Sequence, residues 1–166
     1  MPWHMLVRDL VIVLLTLVLW RIDAGLRAES GVLPIAVAVA AGGFAAISGY
    51  LFHEWGHLIG ARISGGIVHF PKRVTSTFLF YFDTKHSSRQ QFLSMSLGGF
   101  AASALVTPLL IALLPAGAIS SYVALVLIVA GLVATAWLEL PLYFKVLRGA
   151  PLPRGFVFRS DAQQGA

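Results

Sequence analysis

His53-Glu54-Trp55-Gly56-His57 places two imidazoles four residues apart with a carboxylate beside the first. On a helix this spacing puts both rings on one face, about 6 Å apart along the axis, which suits two ligands of one zinc ion. Glu54 then stands next to the ion as a candidate general base. The surrounding segment is apolar enough to cross a membrane, where ionisable groups are costly unless they pair with something or do something. The bland alternative satisfies both histidines by interhelical hydrogen bonds and keeps Glu54 neutral, and three ionisable groups on adjacent faces count against it.

A catalytic zinc keeps three protein ligands and an open position for water. The chain has no cysteine, so there are no disulfides or thiolates and the third ligand must come from His or carboxylate. Glu139 is the leading candidate, the only other carboxylate expected within a span. His57 lies five residues before Arg62, and Glu139 six before Lys145. At about 1.5 Å per residue both sit at matching depth. Glu139 could instead snorkel to the interface or pair with Lys145. Asp83 is the runner-up ligand, although its polar loop suits a solvated aspartate equally well. His4, His69 and His86 read as surface histidines.

The elements that must position these residues are helices in a bilayer. Hydrophobic residues make up 58% of the 166, charged residues 11%, and the mean hydropathy is +0.83. That balance lies outside the range of soluble domains. The expected fold is an all-α polytopic membrane protein, one domain over 1–166 with about four transmembrane helices at 5–22, 32–61, 92–114 and 119–144. Little length is left for a receptor or regulatory module. The first span is expected as a retained anchor with snorkelling charged ends, because Trp20-Arg21-Ile22-Asp23 lacks a small-x-small cleavage pattern. Asp23–Gly31 reads as a polar turn. Loop 62–91 is predicted to hold a short β-hairpin, Ile67–Phe70 and Thr75–Phe82 flanking Pro71-Lys72-Arg73. Residues 149–166 read as a disordered or surface-lying tail. Pro141 should free the Trp137 carbonyl and disturb the last helix beside Glu139.

The net charge is +5, but the basic residues flank apolar spans rather than forming a folded basic face, which argues against nucleic acid as a partner. Arg62, Lys72, Arg73, Lys85 and Arg89 lie in one loop, and Lys145, Arg148, Arg154 and Arg159 near the end. The positive-inside bias then places both termini in the cytoplasm. Gly56 and Gly60 form a G-x-x-x-G, and Gly98, Gly99, Ala102 and Ser103 give small-residue spacing on the next span, so close helix contact is expected. The aromatic run Phe78–Phe82 suits either strand addition by an extended substrate or an interfacial anchor.

These blocks resemble the site-2 protease family of intramembrane zinc metalloproteases. The resemblance covers roughly residues 45–150. It rests on His53-Glu54-Trp55-Gly56-His57 continuing as Leu58-Ile59-Gly60-Ala61-Arg62-Ile63-Ser64-Gly65-Gly66, on the polar loop, and on Ser96-Leu97-Gly98-Gly99-Phe100-Ala101-Ala102-Ser103. It implies His53 and His57 as zinc ligands, Glu54 as base, and hydrolysis of a peptide bond in or near the membrane. The family's third ligand, an aspartate in an Asp-Gly motif, is replaced by Glu139-Leu140-Pro141, and Pro and Asn are missing from the later glycine motif. The expected partners are the lipid bilayer and a transmembrane peptide or protein substrate. Two alternatives stay open: a non-proteolytic metal-binding subunit of a membrane complex, and a zinc hydrolase of a lipid or other small membrane substrate.

Overall fold

The computed structural model describes residues 3–154 and 158–159. Its order is α1 (Trp3–Leu26), α2 (Val32–Ile63), β1 (Val68–His69), β2 (Tyr81–Asp83), α3 (Arg89–Leu113), α4 (Ile119–Leu147) and β3 (Phe158–Arg159). Three helices, α2, α3 and α4, are long and apolar enough to cross a membrane. Their outward faces carry Leu105, Leu109 and Leu113 on α3 and Val126, Val133 and Trp137 on α4, all exposed. Helices in lipid need no polar outer face, because the bilayer solvates these side chains.

α2 is the central element. Its glycines let neighbours approach closely, as the small-residue spacing predicts. A Cβ at Gly56 would stand 2.5 Å from both the Ala102 Cβ and the Gly98 carbonyl oxygen, and one at Gly60 would strike the Ser94 carbonyl on α3. On another side Gly42 faces Val123 and Ala124 of α4. α1 is pinned to α2 by hydroxyls, with Thr16 Oγ1 lying 2.8 Å from Ser48 Oγ and 3.1 Å from the Phe44 carbonyl.

The boundaries depart from expectation for local reasons. α1 continues through Asp23, which was expected in a turn, because the buried Asp23 accepts a 2.8 Å hydrogen bond from Ser120 Oγ of α4. Asp9 does not snorkel either. It is buried, accepting from Arg8 Nε at 2.7 Å and from the Trp55 indole at 2.9 Å. α3 starts at Arg89 because Ser88 and Gln91 form a reciprocal capping box. α4 runs unbroken through Pro141, since proline removes one ladder bond and the flanking turns persist.

The loop contains a small sheet. β1 and β2 pair antiparallel, Val68 with Phe82 and His69 with Tyr81, and β3 joins β2 in parallel. Residues 75–80, expected as part of a hairpin strand, instead pass over the helices. Leu79, Phe80 and Phe82 are buried with Met5, Leu58, Phe92, Met95 and Val146 in one apolar cluster. Of the tail, 155–157 and 160–166 lie outside the described residues.

Candidate metal centre

The i, i+4 spacing on α2 sets the His53 and His57 rings edge to face with centroids 4.4 Å apart, and their Nε2 atoms stand 2.9 Å apart. Glu139 reaches in from α4, with Oε1 3.3 Å from His53 Nε2 and Oε2 3.2 Å from His57 Nε2. One ligand atom from each of the three residues lies within 4.8 Å of the others, so the group could hold a metal ion. Glu139 thus lies beside both histidines.

The other ring nitrogens decide what the site wants. His53 Nδ1 lies 3.1 Å from the Gly99 carbonyl and 2.8 Å from Ser103 Oγ, and His57 Nδ1 lies 2.9 Å from the Met95 carbonyl. A carbonyl can only accept, so each ring carries its proton on Nδ1 and turns an Nε2 lone pair inward. Two such lone pairs and a carboxylate then face one small space without a donor of their own. Such an acceptor set could hold a metal ion, and outer hydrogen bonds of this kind orient metal-ligating histidines.

α3 is the cradle for these rings. A Cβ at Gly99 would collide with the His57 imidazole, so glycine there makes room for the ligand. The sequence places Gly99 and Ser103 in a helix-packing pattern and in the block that carries the resemblance, without linking them to the histidines, and it does not single out Met95. Their role is invisible until α3 is docked, because two of the three contacts are made by backbone oxygens.

Glu54 is buried on the same face of α2. It lines a cavity of about 270 Å³ together with His57, Glu139, Phe78, Phe80 and Phe82. One of its oxygens accepts the Leu79 backbone N–H at 3.3 Å. The loop therefore presents main chain to the carboxylate of the candidate base, and its aromatic side chains wall the cavity. A second cavity, about 110 Å³, is bordered by His53, Tyr50, Ser103, Thr107 and Thr135.

Asp83 is not part of this centre. It belongs to β2, buried, with Oδ2 3.0 Å from both His69 Nε2 and His86 Nδ1, while Oδ1 accepts the Lys85 and His86 N–H groups. Burial works against its charge, but these hydrogen bonds outweigh burial and hold the Asp83 carboxyl well below the usual carboxylate range. The expectation of a solvated aspartate beside plain surface histidines gives way to a structural hub. His4 is partly buried on α1.

Compared with family models, curated proteins and solved structures, the chain matches none.

Proposed function

We propose that this chain is an intramembrane zinc metallopeptidase, the activity that its resemblance to site-2 proteases implies. The observation that carries this reading is that His53, His57 and Glu139 converge on one another, with Glu54 lining one cavity together with His57 and Glu139. His53, His57 and Glu139 would hold the ion. When bound, zinc supplies a polarised carbonyl and an acidified water. Glu54 takes the water proton on its carboxylate and delivers it to the leaving amine. Gly99, Ser103 and Met95 keep both imidazoles turned the right way.

A peptide fits this site better than a lipid does, because Glu54 already accepts a main-chain N–H, from Leu79. The substrate would be an extended or unwound segment of a membrane protein. In this reading α1 is a fourth span, its Leu10, Leu14 and Leu17 facing lipid, and both termini are cytoplasmic.

The test pairs elemental analysis with hydrolysis of fluorescein-labelled casein by purified protein in detergent micelles. Wild type should carry one zinc and cleave. Glu54→Gln should keep the metal and lose activity by a factor of about 100 or more. Glu139→Ala should lose the metal. Cleavage that persists in Glu54→Gln sinks the mechanism, and full zinc in Glu139→Ala removes Glu139 from the ligand set. Metal without peptide release would favour a non-proteolytic subunit, and release of fatty acid from lipid alone would favour a lipid hydrolase.

A further inference from the structure

Tyr50 lies one turn before Glu54 on α2, so Tyr50, His53, Glu54 and His57 follow the i, i+3, i+4, i+7 spacing of one helix face. Its hydroxyl donates a 3.1 Å hydrogen bond to the Thr77 carbonyl of the loop. Its side chain also borders the cavity shared with His53 and Ser103. Two residues further along the loop, the Leu79 N–H is on Glu54. The loop backbone over 77–79 thus offers the site a peptide carbonyl, which Tyr50 takes, and a peptide N–H, which Glu54 takes. These are the two main-chain groups that an extended peptide substrate would present.

The Ser103 hydroxyl on the same cavity is committed to the His53 ring.

Resting on the peptidase reading, we propose that the Tyr50 hydroxyl is a catalytic residue, the side-chain donor to the carbonyl oxygen of the bond being hydrolysed, with the Thr77 carbonyl standing in for that oxygen in the substrate-free chain. Substrate displaces the 77–79 backbone and takes over both hydrogen bonds. The phenol keeps its proton throughout. Its hydrogen bond shortens as negative charge builds on the carbonyl oxygen and relaxes when the C–N bond breaks, so it stabilises the transition state more than the ground state.

The test is Tyr50→Phe, which removes one oxygen and keeps the ring. With fluorescein-labelled casein in detergent micelles, kcat should fall about 100-fold while KM changes less than threefold and zinc content and melting temperature stay at wild-type values. If the hydroxyl only anchors the loop, the variant will lose melting temperature or raise KM with kcat intact, and the proposal is overturned. Glu54-dependent cleavage with an unchanged kcat in Tyr50→Phe overturns it as well and leaves the peptidase reading standing. Zinc-loaded wild type that cleaves no casein, or whose cleavage survives Glu54→Gln, brings down the peptidase reading and the role of Tyr50 with it.

Discussion

Asp83 shows how much a single carboxylate can organise outside the candidate centre. It ties His69 of β1 to His86 and to the turn before α3, and Phe82 on the same strand helps wall the cavity. Replacing it by Asn should cost the loop about 1–3 kcal/mol near neutral pH, the range for an impaired buried hydrogen-bond group. The pH dependence follows from the direction of its shift. Its folded carboxyl is more acidic than the unfolded one, at about 3.9, so its contribution is full above that value and fades as pH falls toward the folded value. Melting scans of wild type and Asp83→Asn should therefore differ at pH 6 and draw together only as the pH falls below about 4. A gap that widens on acidification would show that the sign is wrong.

The element that decides the architecture is α2, and its glycines make a direct prediction. Gly60 touches α3 so closely that any Cβ meets the Ser94 carbonyl, a backbone atom that cannot swing aside. Gly60→Leu must push α3 outward, at a cost of about 1–3 kcal/mol or more. Because α3 also holds the histidine rings through Gly99, Ser103 and Met95, the same change should weaken zinc retention about 10–100-fold, the loss typical when a ligand's outer partner is disturbed. Zinc titration with a competing chelator would read this, and unchanged affinity would separate the packing from the site.

At this scale the motif on α2, the small-residue contact and the matching depth of Glu139 were all legible in the sequence, because helical period and counting from charged ends determine them. The path of residues 74–80 was not. β-Branched and aromatic residues favour a strand there, but buried apolar contacts and hydrogen bonds from Arg8 to the Val74 and Ser76 carbonyls draw that stretch onto the helices instead. The hidden partners of Asp9 and Asp23 were equally illegible, since Trp55 and Ser120 lie 46 and 97 positions away along the chain.

For the whole molecule, the absence of cysteine makes topology easy to probe. Ser30, between α1 and α2, and Arg73, in the loop before α3, are both exposed and sit at opposite ends of the 32-residue α2. In intact cells a membrane-impermeant maleimide should label Ser30→Cys directly and Arg73→Cys only after permeabilisation. Labelling of both from one side would contradict a spanning α2.

The three candidate ligands come from two rods that the chain connects only through a third, since His53 and Glu139 are 86 positions apart. An ion seated between them would act as a rivet as well as a reagent, fastening the last helix to the middle of the bundle at a point where neither loop nor covalent link does so. Any process that strips the ion, whether chelation, acid or competition from another metal, would then slacken the scaffold at the same moment it silences the chemistry.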